Sequence, residues 1–163
     1  MIIASQVSPT ELRRACGEWA TGVAIVTTVN QQGEPVGLAV NSFTSVSLDP
    51  PLILFCPARE SATWSHIRTT GRFVVNILAA EQAALARVFS LAGIDKFANV
   101  DYHQNECGLP VLDGVTAYLT CATEDVYDGG DHEIVVARVH STHHTAREPL
   151  VFHRGATTDL RRK

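Results

Sequence analysis

Residues 37–55 carry a row of small polar side chains between two apolar segments. The row supplies one amide and four hydroxyls, at Asn41, Ser42, Thr44, Ser45 and Ser47. Each group can donate or accept hydrogen bonds, and the β-branched flanks indicate extended chain. Such a row suits a flat, polar ligand. Small polar residues are equally ordinary on a solvent-facing strand, so the pattern alone leaves both interpretations open.

His132 is the sharpest single candidate for chemistry outside this row. It follows Gly129, Gly130 and Asp131, which predict a tight turn. A histidine in that place either contacts a ligand or is only a turn residue, and the turn does not decide between them. For Asp131 we predict a structural role, because an aspartate in a turn can bond the backbone two residues on.

Three further histidines, His140, His143 and His144, are close enough in sequence to suggest a shared metal ion. On a strand, however, His140 and His144 face one side and His143 the other, so a site with three ligands would require a bend. We therefore interpret them as surface or interface histidines and predict no metal site.

The cysteines give no sign of a zinc site, because they are widely spaced and form no Cys-x-x-Cys pair. We predict reduced, mostly buried thiols at Cys16, Cys56, Cys107 and Cys121. The chain also lacks a Gly-x-Gly-x-x-Gly fingerprint, a triphosphate-binding glycine loop and a Ser-His-Asp order. Hydrolase and kinase functions therefore find no supporting residues.

Composition limits the class of protein further. The 163 residues are 45% hydrophobic, which predicts one domain with a sizeable core. A net charge of -4 argues against an extended nucleic-acid surface, since phosphate binding needs concentrated Lys and Arg. No apolar run is long enough to span a bilayer, and residues 1–14 do not resemble a secretory signal. We expect a cytoplasmic protein that binds neither membranes nor nucleic acid.

Helix signals are clear at three places. Ser8 and Glu11, with Pro9 between them, form a capping box that begins a helix. Its apolar stripe ends at Trp19, which we predict to be a core residue, as we do Trp64. Further helices are predicted at 61–68 and 81–89.

The remaining pattern predicts mostly strands, at 21–29, from 36 onward, and at 52–56, 72–78, 115–126, 133–142 and 150–153. Residues 90–110 predict an irregular loop that serves as a lid or an interface, with Asp95 and Lys96 as an exposed pair. Many strands and few helices favour a closed or nearly closed antiparallel barrel.

Six motifs in order along the chain carry a family resemblance. They are TGVAIVTT at 21–28, NSFTSVSLDPPL at 41–52, FVVNIL at 73–78, DKF at 95–97, GLPVLDG at 108–114 and GGDH at 129–132. Together they resemble the short-chain flavin reductases, the reductase components of two-component flavin-dependent monooxygenases. The resemblance implies one flavin reductase-like domain over residues 1–163. Its expected fold is the FMN-binding split barrel, a mainly β, Greek-key antiparallel barrel with a few flanking helices.

The resemblance also implies roles for individual residues. The segment along the flavin ring and ribityl phosphate corresponds to Val40, Asn41, Ser42, Phe43, Thr44, Ser45 and Ser47. The phosphate segment runs from Ala58 to Ser61, with Arg59 as the cation and Ser61 as the helix-start hydroxyl. Phe97 is expected near the flavin. NADH is expected to contact His132, Phe152 and Arg154, whereas the tail aromatic common in the family is replaced by Ala156, Thr157 and Thr158.

The implied function is an NAD(P)H:flavin oxidoreductase that uses FMN or FAD and supplies reduced flavin to a partner monooxygenase. NADH is expected over NADPH, because no compact arginine cluster lies near His132 in sequence. We expect a homodimer and no obligatory acid or base in the protein. Two alternatives remain: a flavin-binding protein without turnover, and a split-barrel oxidoreductase for another substrate, such as a pyridoxamine-phosphate oxidase-like or corrin-reducing enzyme.

Overall fold

A computed structural model describes residues 7–160; residues 1–6, on which the expectation about a secretory signal partly rests, lie outside the described part. Three α-helices are found within it: α1 (Pro9–Gly17), α2 (Ala62–Thr70) and α3 (Ala83–Ser90), the last preceded by a 3-10 turn at Ala80–Gln82. The strands of the described part are β1 (Thr21–Gly22), β2 (Ala24–Val29), β3 (Pro35–Val40), β4 (Thr44–Leu48), β5 (Pro51–Phe55), β6 (Arg72–Ile77), β7 (Tyr102–Gln104), β8 (Pro110–Leu112), β9 (Ala117–Gly129), β10 (His132–His144), β11 (Val151–His153) and β12 (Ala156–Thr158).

The main sheet has seven strands in the order β3-β2-β6-β9-β10-β5-β4, and every neighbouring pair is antiparallel. Alternate residues of six of these strands share one buried cluster, with Val26 from β2, Phe55 from β5 and Val135 from β10 among its members. A sheet that curves so that one of its faces encloses a single core forms a barrel. The predicted antiparallel barrel is confirmed.

Two further features of the barrel are helix α2 and the link between its two edge strands. Helix α2 inserts Trp64 and Ile67 into the same core, and its ends are the predicted ones, with Ser61 as N-cap and Gly71 in the left-handed region at φ 65. The two edge strands, β3 and β4, are consecutive in the chain and are joined by residues 41–43. The polar row therefore lies at the seam where the barrel is split.

A second core lies outside the barrel. Ile25 on β2, Phe89 on α3 and Leu150 pack together there with Phe97. Residues 90–110, predicted to be irregular, include β7, which pairs with β8 so that Tyr102 lies opposite Leu112. β7 has only three residues and lies among the Gly, Asn, Asp and Pro residues that predicted a loop, which is why the sequence did not predict it.

β11 lies within the strand predicted at 150–153, but the sequence predicted neither β12 nor the hairpin that the two strands form. Its turn consists of Arg154 and Gly155, whose φ angles of 51 and 80 are those of a two-residue hairpin turn. β11 also pairs with β1, so a small sheet covers one side of the second core. The replacement of the expected aromatic by Ala156 and Thr157 falls on this sheet.

Helix α1 begins at the predicted capping box, in which Glu11 N donates to Ser8 Oγ and Ser8 N donates to the Glu11 carboxylate. None of its residues is buried, and Trp19, two residues beyond its end, is 78% exposed. The prediction that Trp19 is a core residue is therefore wrong, whereas Trp64, at 1% exposed, is confirmed. Periodicity shows that a helix has an apolar stripe, but not what covers it.

The cysteines differ from the prediction in their burial. All four are free thiols, yet Cys16 and Cys107 are exposed, so the expectation of mostly buried thiols is wrong. Cys121 lies in the barrel core, where burial raises the pKa of its thiol to about 12. None of the helices between residues 7 and 160 is long and apolar enough to cross a membrane.

Candidate functional site

Three residues of the polar row, Thr44, Ser45 and Ser47, lie on β4, an edge strand that pairs only with β5 in the main sheet. Thr44 and Ser45 are exposed, and a bulge follows Ser45, because Ser45 is opposite Ile53 while Ser47 is opposite Leu52. Bulges change the direction of side chains along an edge. No strand of the main sheet pairs with the outer edge of β4, so a ligand can approach both this edge and the exposed hydroxyls of Thr44 and Ser45.

The link between β3 and β4 fixes the start of the row. Cys56 N donates to Ser42 Oγ at 2.9 Å, and Ser42 Oγ lies 3.3 Å from Cys56 O, so this hydroxyl ties the link to the end of β5. Phe43 packs against the barrel core. Asn41, by contrast, is exposed. Of the two polar residues in the link, Asn41 is the one whose side chain remains available to a ligand.

The loop between β5 and α2 is joined to the turn between β9 and β10. Ala58 forms a β-bridge with His132, Arg59 N donates to Asp131 O at 3.1 Å, and Glu133 N donates to Pro57 O at 3.0 Å. Residues far apart in sequence, which the resemblance assigned to phosphate and to nicotinamide, are therefore neighbours.

The guanidinium of Arg59 is held by this turn. Nε donates to Gly130 O at 2.6 Å and Nη1 donates to Glu133 Oε1 at 3.1 Å, and Nη2 pairs with Asp128 Oδ1. Ser61 Oγ in turn accepts from Trp64 N at 3.3 Å as the cap of α2. In this structure both side chains predicted to hold phosphate bond to other groups of the protein.

Glu133 is a residue that sequence reasoning missed. Its side chain is 13% exposed, and its Oε2 accepts from Trp64 Nε1 at 2.5 Å and lies 3.7 Å from Arg68 Nη1. The carboxylate thus connects the hairpin carrying His132 to α2 and, through Arg59, to the preceding loop. A buried carboxylate needs several donors, and they come from distant residues, so no local pattern announces this cluster.

His132 is oriented by its neighbour. Its Nδ1 lies 2.7 Å from Asp131 Oδ1, and because a carboxylate only accepts, Nδ1 donates, which leaves Nε2 on the other side of the ring without this partner. This hydrogen bond is the main reason why the pKa of Asp131 is lowered. The turn bond predicted for Asp131 is made by Asp128, whose Oδ1 accepts from Gly130 N at 3.0 Å.

A cleft of about 880 Å³ opens between the end of β3, helix α3 and the β11–β12 hairpin. It brings Val40 and Asn41, predicted to bind flavin, together with Phe152, predicted to bind NADH. Its other lining residues are Val23, Ala39, Ala84, Ala86, Arg87, Val88, Ser90, Leu91, Gly155, Ala156 and Thr157. Mostly apolar walls with a few polar groups are typical of cofactor sites.

Phe97 lies elsewhere. It packs edge-to-face with Phe89 and Tyr102, at ring-centroid distances of 5.1 and 5.2 Å, and lines a second cleft of about 520 Å³. Its neighbour Lys96 donates from Nζ to Gly37 O and Phe89 O, each at 3.0 Å. Burial lowers the pKa of Lys96, so the expectation of an exposed pair at this residue is wrong.

Arg154 is engaged by helix α1. Its Nη2 donates to Glu18 Oε2 at 2.7 Å and its Nε lies 3.1 Å from both carboxylate oxygens. The guanidinium therefore binds Glu18, whereas Phe152, on the same hairpin, lines the cleft. The structure separates two residues that the resemblance grouped.

The structure also shows the surroundings of two of the three clustered histidines. His140 lies at a bulge of β10, between Val139 and Ser141, and the ring of His143 stacks on Tyr118 with centroids 5.3 Å apart. Among residues 7–160 no three His, Cys, Asp or Glu side chains are grouped so that they could hold a metal ion.

Comparison with known proteins gives consistent results. The family model described as a flavin reductase like domain matches residues 16–161. The reductase subunit HsaB of a flavin-dependent monooxygenase from Rhodococcus jostii is 41% identical over 160 residues, covering 98% of this chain and 82% of the relative. The FMN reductase (NADH) SmoA from Agrobacterium fabrum is 39% identical over 144 residues, or 88% of this chain and 82% of the relative. The NADH:FAD oxidoreductase SgcE6 from Streptomyces globisporus, solved with NAD and FAD fragments, superposes with a TM-score of 0.87 at 38% identity over 97% of this chain and 98% of that one.

Proposed function

The chain belongs to the flavin reductase-like domain family, and on that premise we propose that it is an NADH:flavin oxidoreductase. It reduces FMN or FAD and supplies the reduced flavin to a partner monooxygenase. The observation that carries this proposal is that one cleft is lined both by Asn41, from the flavin segment, and by Phe152, from the NADH segment. Relatives named for this activity match nearly the whole chain, which supports one domain over residues 1–163.

The residues at the seam fit a flavin. Exposed Asn41, Thr44 and Ser45 offer an amide and hydroxyls to the polar edge of the ring, and the apolar cleft walls suit its faces. In the segment that the resemblance assigned to phosphate, Arg59 N and Ser61 N already donate to Asp131 O and Ala58 O, which leaves the N–H groups at the start of α2 to attract an anion. Ser42 and Phe43 fix the link that carries the row.

When bound, flavin would supply the redox chemistry, as the acceptor of a hydride from the nicotinamide. The part of the protein would be to position the two ligands for that transfer, at the reacting distance of about 3 to 3.5 Å, and such positioning supplies much of the rate. We assign Phe152 and His132 to orientation of the nicotinamide, with His132 fixed by Asp131. No side chain has to transfer a proton in that step.

NADH is the favoured dinucleotide. Near His132 the 2′-phosphate of NADPH would need a free cation, but Arg59, the arginine whose loop is bridged to His132, already pairs with Asp128 and Glu133. The negative charges of these two carboxylates would repel the 2′-phosphate of NADPH near the turn.

We further propose a homodimer in the cytoplasm. Leu12 and Trp19 on the α1 stripe are 57% and 78% exposed, and a second copy would remove this apolar surface from water. Four free thiols are consistent with a reducing compartment.

The decisive experiment is to purify the protein, record its visible spectrum and measure NADH and NADPH oxidation with FMN, FAD and riboflavin in turn. Flavin-stimulated oxidation of NADH is the expected result. Bound flavin without NADH oxidation would instead favour a flavin-binding protein, an alternative motivated by the missing tail aromatic at 156–158. Absence of activity on free flavin would favour a split-barrel enzyme for another substrate.

A further inference from the structure

Arg87 is the one charged residue among those lining the 880 Å³ cleft. It lies in the last turn of α3, and within residues 7–160 it has neither an ion pair nor a hydrogen bond from its side chain. The helix that carries it is firmly held, because Ala86 and Phe89 on either side are 6% and 1% exposed. The backbone that carries this cation is thus held beside mostly apolar walls.

The two arginines to which the resemblance gave ligand-binding roles are differently placed. Arg59 is paired with Asp128 and Glu133, and Arg154 with Glu18. A phosphate approaching either one would have to displace a carboxylate and would be repelled by it. The guanidinium of Arg87 has no carboxylate partner within residues 7–160, and a guanidinium can bind phosphate through two parallel hydrogen bonds.

Two uncharged polar side chains line the same cleft as Arg87. The amide of Asn41 and the hydroxyl of Thr157 line the same space and are able to donate to phosphate oxygens. Ser90 does not contribute, because its Oγ donates to Ala86 O at 2.8 Å. Asn41 lies on the flavin side of the cleft, and Thr157 on the dinucleotide side.

We propose that Arg87 binds a phosphate group of the nucleotide held in this cleft. The proposal rests on the proposed function, which brings two phosphate esters to the site: that of the flavin and that of the dinucleotide. Both present the same chemistry to Arg87. The competing view is that Arg87 only interacts with the carbonyl groups at the end of α3, a common role for a cation in a last turn.

Arg87→Gln tests the proposal, with Arg72→Gln as the matched control. Arg72 is also exposed, lies on β6 outside the cleft lining, and its replacement changes net charge equally. Dissociation constants for FMN and riboflavin are measured by flavin fluorescence, and KM for NADH with riboflavin as acceptor. Thermal unfolding of each variant checks the fold.

Loss of a charge-assisted hydrogen bond predicts about a tenfold or larger effect on one ligand. Weaker binding of FMN but not riboflavin identifies the flavin phosphate; a higher KM for NADH with unchanged riboflavin binding identifies the dinucleotide. Arg87→Lys should retain part of the affinity. If Arg87→Gln stays within about twofold of wild type and Arg72→Gln for all three ligands, Arg87 is only a helix-end charge and the proposal is wrong. Wild-type protein without NADH oxidation would refute the proposed function, while the direct FMN and riboflavin measurements still decide on Arg87.

Discussion

Glu133→Ala should destabilise the protein far more than a typical loss of a surface charge. The carboxylate is 13% exposed, and it accepts from Trp64 Nε1 at 2.5 Å and from Arg59 Nη1 at 3.1 Å. Without it, the indole N–H of Trp64 is left at the edge of the core with no acceptor, which costs about 1–3 kcal/mol. The half-exposed Arg59 adds less, because solvent screens its pair. We expect a total loss of about 2–4 kcal/mol in unfolding free energy.

Urea unfolding of the wild type and two further variants makes the comparison. Glu124→Ala is the control, because Glu124 pairs with Arg138 at 2.8 Å with both side chains partly exposed, and such a pair contributes about 1 kcal/mol or less. Glu133→Gln should fall between the two, since its amide oxygen still accepts from Trp64. The midpoints should differ while the denaturant dependence stays constant. Equal losses for Glu133→Ala and Glu124→Ala would refute the role assigned to Glu133.

Three other predictions concern the site, the packing and the pH dependence. His132→Ala should slow the reduction of bound flavin by NADH while flavin affinity stays nearly constant, whereas His132→Asn should retain much of the rate. Rapid mixing measures the reduction rate of both variants. If the Asn variant loses as much rate as the Ala variant, the orienting role is contradicted. Gly37→Ala should cost about 1–3 kcal/mol in urea unfolding, because its Cβ would lie 2.6 Å from Phe89 Cε1, and an unchanged midpoint would show that Phe89 moves freely. The pKa of Asp128 is lowered from 3.8, first by the Gly130 N–H and then by Arg59, so its carboxylate stabilises the fold above that pH and this contribution is lost as the pH falls through the lower folded value. The difference in stability between wild type and Asp128→Asn, followed by acid titration of unfolding, should therefore vanish on acidification rather than grow.

Local signals predicted much of the fold. The capping box at Ser8 and Glu11 and the helix stop at Gly71 depend on contacts within a few residues, and both are present in the structure. The strand pattern predicted the barrel, and the ordered motifs, which include most of β2, β6 and β8 and the turn between β9 and β10, predicted the family. Elements without such a signal were missed: β7 and β12 are only three residues long.

The site was harder to predict, because its side chains are held by distant partners. Arg59 is the right kind of residue for phosphate, but its acceptors Asp128 and Glu133 lie about 70 residues away in sequence, and no spacing rule connects them. The free cation, Arg87, carries no motif at all. Trp19 shows the same limit for packing, since a stripe at helical spacing does not reveal whether the same chain covers it.

The long hairpin of β9 and β10 has a consequence for the order in which the protein folds. Its two strands join through a tight turn, so their pairing needs only local contacts and is expected early. β5 reaches β10 only after a long stretch of chain has been closed, which is entropically slower. His132 should therefore be in place on its turn before Ala58 and Arg59 arrive beside it. The proposed nucleotide site would then be completed in the last steps, and a ligand that binds only the finished site would favour the native chain over less folded states by mass action.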